Sequence, residues 1–550
     1  MKIYKLHRRL SIIIAVPVLL WAISGFMHPV MTNIRPAIVT QGIPPVPIDS
    51  ARIRFPLREA LHKHHLDSIL NFRLVHIDTN WFYQVQPVGG GSSRAQDGIA
   101  GVGATSGPQA VPIYISCTNG NVLTAGDWLY AQYLARQFLE GAARYSPANS
   151  GAPGRSPSVE MQIRPASFEP AHSAHDCCGA ATETVLNPVK GAKVTNVSMV
   201  RAYDNEYKSI NRLLPVYRVS FDRPDGIRVY VETTQDRFSF AMDNRRAVFD
   251  EIFRLFHTWG WLDFLGKGRL AVELLVALTA LFTTTLGIYI FFTTRSSRGT
   301  ARTHRITAII GALFTLMWTF SGSFHAFSRF RDDVRDRYFV ATRFAADKAD
   351  CNWGRLQSVC PRPIANISLA AIDGTAYWRV AMMPEKVAAH KDLMKDGRAG
   401  RSQAMAATLP PVAYVDAADY SVLPDGDARY AAWMAAQFSR RPVGTVHSVT
   451  PVTAFGDEYN FTDKRLPVWK VSYDGSGHQR WYVETSSGRL ASMVDDRAVL
   501  EGYSFSVFHK HHFMDWGGKT ARDASTMFWV FMQIVLVSFG LILWFKRRTW

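Results

Sequence analysis

Four apolar runs, Ser11–Met31, Leu270–Phe292, Ile306–Phe327 and Met527–Phe545, constrain this 550-residue chain more than any other feature. As a helix rising 1.5 Å per residue, each is long enough to cross about 30 Å of hydrocarbon. The unbalanced charge lies beside them. Residues 1–9, 293–305 and 546–550 carry eleven Lys and Arg and no acid, so 27 residues hold 11 of the net +17. Charge gathered there marks cytoplasmic flanks of membrane spans and leaves little basic surface elsewhere, so no nucleic-acid partner is expected. No small-x-small site follows Ser11–Met31 and an equivalent run returns in mid-chain, so a span is expected there rather than a cleaved leader.

These runs order the chain. Residues 1–9 form a cytoplasmic start, 10–31 a first span, and 32–255 an extracytoplasmic module with an insert at about 139–190. A rim segment and second span take 256–292, a cytoplasmic loop 293–305, and a third span 306–327. A second module follows at 328–508, then a rim segment and fourth span at 509–545, and a cytoplasmic tail at 546–550. The lipid bilayer is therefore an expected partner, with both termini cytoplasmic. The five cysteines, Cys117, Cys177, Cys178, Cys351 and Cys360, all fall outside, where disulfides persist. A Cys351–Cys360 bridge is expected on their proximity in sequence.

The two halves repeat. Trp21-x-x-Ser24-Gly25-x-x-His28 returns 297 residues on as Trp318-x-x-Ser321-Gly322-x-x-His325, preceded by His7-Arg8 and His304-Arg305. Tyr230-Val231-Glu232-Thr233 returns 252 residues on as Tyr482-Val483-Glu484-Thr485, a register held through Phe256-His257 and Phe508-His509. Within the modules, Val216–Phe221 and Ile227–Thr233 read as a hairpin around Pro224-Asp225-Gly226, matched by Val468–Tyr473 and Gln479–Thr485. Asp127–Phe138 and Ala428–Phe438 read as amphipathic helices. The fold class expected is a membrane α-helical bundle of four transmembrane helices with two α+β extracytoplasmic modules, internally duplicated.

Histidines recur at the span ends. His7 and His28, like His304 and His325, are 21 residues apart, about 31 Å of helix, which places one ring near either membrane surface. His257 and His509 stand just before the second span of each half. A single such ring commonly anchors at an interface; repeated pairs on facing helices suit a cofactor. Haem iron with two axial imidazoles fits best, since no carboxylate or thiolate accompanies the rings as zinc or copper would favour. His28 with His325, His257 with His509, and the crossed pairs within each half all remain open. Gly25 and Gly322 fit either a flat ring or tight helix packing, and Trp21 and Trp318 read as bundle core. His172, His175, Cys177 and Cys178 gather in the insert. His62, His64, His65, His511 and His512 read as solvated, Asp332, Asp333 and Asp336 as part of a charged helix surface, and Glu273 as an intramembrane acid with no evident partner.

The opening Leu6-His7-Arg8-Arg9, the Ser24-Gly25-x-x-His28 close and the doubled span–module–span layout resemble the PepSY-associated transmembrane helix proteins over essentially the whole chain. That family includes iron-regulated inner-membrane proteins, among them ferric-siderophore reductases that carry b-type haem and release Fe(II) in the periplasm. The resemblance implies PepSY-like modules and two haem b groups, with His7, His28, His257, His304, His325 and His509 as the candidate ligands. It also implies a ferric siderophore or other ferric chelate as substrate. No flavin or nicotinamide fingerprint is present, so a separate electron donor, a cytoplasmic reductase or quinol, is expected. A redox-silent module that binds a periplasmic partner or restrains a protease is the alternative. A metal transporter is a weaker one, because both halves run in the same direction.

Overall fold

The computed structural model describes residues 2–88, 110–140, 192–295, 299–331, 338–385, 411–475 and 477–546. The stretches 89–108 and 146–158, whose Gly, Ser, Pro and Ala content reads as loop, nearly all of the insert with His172, His175, Cys177 and Cys178, and the Asp332, Asp333 and Asp336 cluster lie outside the described residues. In chain order the helices used below are α1 (Lys2–Asn33), α2 (Gly126–Glu140), α3 (Asn244–Phe256), α4 (Lys267–Thr293), α5 (Thr300–Ser328), α6 (Trp353–Val359), α7 (Gly426–Ser439), α8 (Asp496–Ser504) and α9 (Gly518–Lys546). The chain divides into two compact units, one of residues 1–36, 243–333 and 494–550, the other of 37–242 and 334–493.

The first unit is the helical one. All four apolar runs are helices long and apolar enough to cross a membrane. They pack in a closed ring in which α1 touches α4, α4 touches α5, α5 touches α9, and α9 returns to α1. Each half's first long helix therefore meets its own second helix and that of the other half. Outward positions carry exposed apolar side chains, among them Ile13, Leu275, Phe292 and Leu313, as a helix facing lipid requires. Hydroxyls inside the helices are satisfied locally: Thr279, Thr283, Thr284 and Ser323 each donate to the carbonyl four residues back. Thr315 Oγ1 lies 2.9 Å from the Gly311 carbonyl four residues back and also 2.7 Å from Gln533 Oε1, a buried interhelical contact.

The amphipathic helices α3 and α8 belong to this unit, ahead of the second long helix of each half. Asp243 caps α3 by accepting from Arg246 N at 2.7 Å, and Asp495 caps α8 by accepting from Ala498 N at 2.8 Å. α8 continues into a π turn, Phe505–His509, a distortion that tends to accompany functional residues. Trp259 and His511 then take left-handed backbone conformations, with φ of 42° and 56°, and turn the chain into matched 3-10 segments, Gly260–Leu265 and His512–Gly517.

The second unit holds four antiparallel four-stranded sheets. In the first half these are β1 (Ser68–Ile77), β2 (Asn80–Pro87) and β3 (Ile113–Ser116), then β4 (Val194–Val200), β5 (Val216–Phe221), β6 (Arg228–Glu232) and β7 (Arg237–Met242). The second half adds β8 (Phe344–Ala345), β9 (Ile364–Ile372), β10 (Thr375–Met382), β11 (Val412–Asp416) and β12 (Val422–Leu423). It closes with β13 (Val446–Val452), β14 (Val468–Tyr473), β15 (Arg480–Glu484) and β16 (Arg489–Val494). The sheet orders are β3-β2-β1-β8, β4-β5-β6-β7, β12-β11-β10-β9 and β13-β14-β15-β16. Both expected hairpins and both expected helices are present. α2 and α7 each pack against the sheets of their half, filling cores around Leu134 and Phe138 and around Met434 and Phe438. Gly126 and Gly426 open these helices where a Cβ would come within 2.7 Å and 2.6 Å of the Cβ of Tyr114 and Tyr414, so no larger residue fits.

The halves meet reciprocally. Asn71 donates to Leu369 O at 3.1 Å and accepts from Leu369 N at 2.9 Å, while Asn366 makes the same two bonds with Leu74 at 3.0 Å. Deeper, the fully buried Glu484 accepts from Arg465 at 3.0 Å and from Arg237 of the other half at 3.1 Å. These cations hold its carboxyl at about 2 despite burial, which alone would raise it.

The expected Cys351–Cys360 bridge is not formed; both are free thiols. The seven-residue helix α6 stands between them and separates its ends by about 10 Å, beyond the reach of a disulfide.

Candidate functional site

The histidines of the helical unit are placed by α1, α3, α4, α5, α8 and α9. At one end, His257 and His509 come together: their ring centres are 6.1 Å apart with planes at 86°. Each is held by the first long helix of its own half. Ser24 Oγ lies 3.0 Å from His257 Nδ1, and Ser321 Oγ lies 3.3 Å from His509 Nδ1. The Ser24 proton is directed to the Leu20 carbonyl at 2.8 Å or that of Trp21 at 3.0 Å, and the Ser321 proton to Trp318 O at 3.3 Å. Each serine therefore presents a lone pair to Nδ1, so Nδ1 carries the ring proton and Nε2 keeps its lone pair. Desolvation, helped by the neighbouring His28 and His325, pushes His257 down to about 4, and desolvation with His257 and His325 lowers His509. Both rings are neutral near pH 7, the form that binds a metal.

Trp21 and Trp318, expected as core, have a more specific role. Trp21 Nε1 donates to His257 O at 3.0 Å and Trp318 Nε1 to His509 O at 3.3 Å, fixing the backbones that carry the rings. Trp21 also stacks on Trp259 at 4.9 Å, and Trp318 stacks on His511 at 5.4 Å, the residue 252 positions after Trp259. His511 is thus fully buried rather than solvated. The left-handed turn folds it under Trp318, a reversal that a His-His pair in sequence does not reveal.

His28 and His325 stand one ring away. Phe253 contacts both His28 at 5.7 Å and His257 at 4.4 Å, and Phe505 contacts both His325 at 4.4 Å and His509 at 4.6 Å. In each half a phenyl ring is therefore shared by the two histidines of the crossed pair. His325 Nδ1 meets Glu501 Oε1 at 2.6 Å; the matching first-half position is Phe249, so the two halves differ here.

At the other end, His7 Nδ1 lies 3.1 Å from Thr283 O, so it donates and again leaves Nε2 free. A Cβ on Gly287 of α4 would stand 3.2 Å from His7 Cε1. The second half repeats this. His304 Cε1 is 3.4 Å from the corresponding point on Gly540 of α9, its ring near the Leu536 backbone and its buried Nδ1 without a hydrogen bond. His304 lies within electrostatic range of His7. The sequence did not single out these glycines, because Gly287 and Gly540 are 253 residues apart and fall one position out of the 252-residue register. Gly25 faces Val530 at 3.7 Å and serves helix packing, whereas nothing lies within 4 Å of a Cβ on Gly322.

Other expectations resolve individually. Glu273 does have a neighbour, Arg269, one helical turn back at 3.4 Å. His62 meets Asp347 at 2.9 Å, His64 the Gly120 carbonyl at 2.8 Å, and His512 Asp515 at 2.7 Å. Among the described residues no three His, Cys, Asp or Glu side chains gather as a metal-holding group. A metal bonded at about 2 Å to one nitrogen of each of two opposed imidazoles sets their ring centres roughly 6 Å apart, which the His257–His509 spacing suits. No family model and no curated protein matches the chain.

Proposed function

We propose that this protein is a haem-bearing electron conduit of the bacterial inner membrane that reduces ferric chelates, such as ferric siderophores, on its extracytoplasmic side. The observation that carries this reading is the meeting of His257 and His509, one from each half, with Nδ1 of both engaged by a serine and Nε2 of both available. A metal-binding histidine almost always donates its other N–H in this way. His257 and His509 would hold one b-type haem, and His7 and His304 a second. Bound haem supplies a one-electron Fe(III)/Fe(II) couple whose potential the protein environment sets. The chain's own part is positioning and exclusion. Ser24 and Ser321 fix the tautomers, Trp21 and Trp318 fix the ring-bearing backbones, and Phe253 and Phe505 keep water from the rings.

The resemblance to PepSY-associated transmembrane proteins supports the same direction. The basic flanks support an inner-membrane topology with both termini cytoplasmic and the modules outside. Hard oxygen donors that grip Fe(III) hold Fe(II) far less tightly, so reduction serves as release. Electrons come from a separate donor, a cytoplasmic reductase or a quinol. The test is optical. Purified protein from haem-replete cells should show a Soret band that shifts on dithionite addition, and His257→Ala should remove one of two components. Colourless wild-type protein would contradict the reading and favour a redox-silent membrane module.

A further inference from the structure

The two halves place different charges around otherwise matched rings. Lys510 stands where the first half has Thr258, 252 residues earlier. Its Nζ lies 5.1 Å from the centre of the Phe505 ring, the same ring that stacks on His509 and His325. Lys510 is only partly exposed. Glu501, the acid that acts on it, is taken up by His325 at 2.6 Å, and Arg522, also near, adds to the positive field while bonded to Asp515 at 2.8 Å. The Lys510 charge reaches both His509 and His28. A partly enclosed cation beside a histidine layer, with the acid that acts on it already engaged by His325, is costly in stability unless it acts on something bound there.

We propose that Lys510 tunes the redox equilibrium at the outer histidine layer, its ammonium favouring the reduced state of an iron centre held by His257 and His509. This rests on the haem reading above. Uptake of one electron from the donor converts Fe(III) to Fe(II), lowers the charge of the centre by one, and makes or breaks no bond. A nearby fixed positive charge therefore favours it. A unit charge about 10 Å away at an effective dielectric of about 20 changes such an equilibrium roughly tenfold.

The experiment is potentiometric titration of full-length, haem-loaded protein with optical detection, comparing wild type, Lys510→Met and Lys510→Arg. Lys510→Met should shift the equilibrium of one optical component roughly tenfold toward the oxidised state, about 59 mV for one electron. The other component should stay in place, and Lys510→Arg should restore the first. An unmoved midpoint at full haem content, or equal movement of both components, overturns the proposal. Should Lys510→Met fail to fold, Thr258→Lys adds the matching charge in the first half and must raise the same midpoint; no rise overturns it equally. Colourless wild-type protein would remove the haem reading and this inference together, whereas pigmented protein with fixed midpoints removes only the role of Lys510.

Discussion

Replacing Ser24 or Ser321 with alanine separates orientation of the histidines from their mere presence. In Ser24→Ala the His257 Nδ1–H loses an acceptor at 3.0 Å, in a place where the serine itself is wholly buried. A neutral buried hydrogen bond contributes about 1 kcal/mol, and an N–H left unsatisfied costs about 1–3 kcal/mol. The ring also loses the contact that keeps its proton on Nδ1, so Nε2 is no longer held as the free nitrogen. Loss of such an outer contact typically weakens metal binding about 10–100-fold, or about 1.4–2.8 kcal/mol at 1.4 per decade, in line with the hydrogen-bond figure. Ser321 sits farther from His509, at 3.3 Å, so Ser321→Ala should weaken binding less than Ser24→Ala. On the proposed haem reading, the assay is haem transfer from purified protein to an excess of an apo-globin acceptor, followed at the Soret band and resolved into the two proposed components. Ser24→Ala should loosen one component by about one to two decades and leave the other unchanged. Unchanged retention in both variants, or a larger effect at Ser321, would refute the assignment of these serines and of the tautomers they impose.

Two further outcomes follow from different parts of the chain. Gly287→Ala places a methyl 3.2 Å from His7 Cε1 and should perturb the component assigned to His7 and His304, while Gly540→Ala, at 3.4 Å, should perturb it less. Alanine favours a helix over glycine by about 1 kcal/mol, so a spectral change with an unchanged or raised melting temperature would locate the effect at the ring, and identical spectra would count against that pair. In the sheet unit, the carboxyl of Glu484 is depressed in the folded state to about 2 from an ordinary 4.5, so its contribution is complete above about pH 4.5 and is lost as pH falls from there through about 2. The shift corresponds to about 3 kcal/mol. Glu484→Gln should lower stability by about 3 kcal/mol at pH 7, because Arg237 and Arg465 lose their closer anion and keep Glu232 at 3.8 Å, and should lack that acid-labile component. Thermal unfolding by circular dichroism across pH 2–7 checks both; a variant melting within 1 °C of wild type would show that the buried network adds nothing.

Length and hydropathy were enough to place the four long helices. The Ile306–Phe327 run lies inside α5, and the 252-residue register recovered both strand pairs, β5–β6 and β14–β15. Such patterns are local, and local chemistry writes them. What the sequence left open depends on which surfaces meet. A repeat tells which positions are equivalent, not which of them touch, and because each first helix in the closed ring borders both second helices, equivalent and crossed histidine pairs were equally compatible with it. The meeting of His257 with His509, the sharing of Phe253 and Phe505, and the seating of His7 on Gly287 all arise from packing between segments distant in sequence. Cys351 and Cys360 failed for the opposite reason: their separation in sequence suited a bridge until the intervening residues became helix. His511 failed because a left-handed residue reverses the chain and buries a polar ring against Trp318. Departures from the repeat are the more informative signal. Thr258, Trp259 and Phe249 of the first half correspond to Lys510, His511 and Glu501 of the second, so the two halves set different polar groups around matched rings. That asymmetry cannot be read from the repeat itself, because a repeat reports what the halves share and the charges lie where they differ.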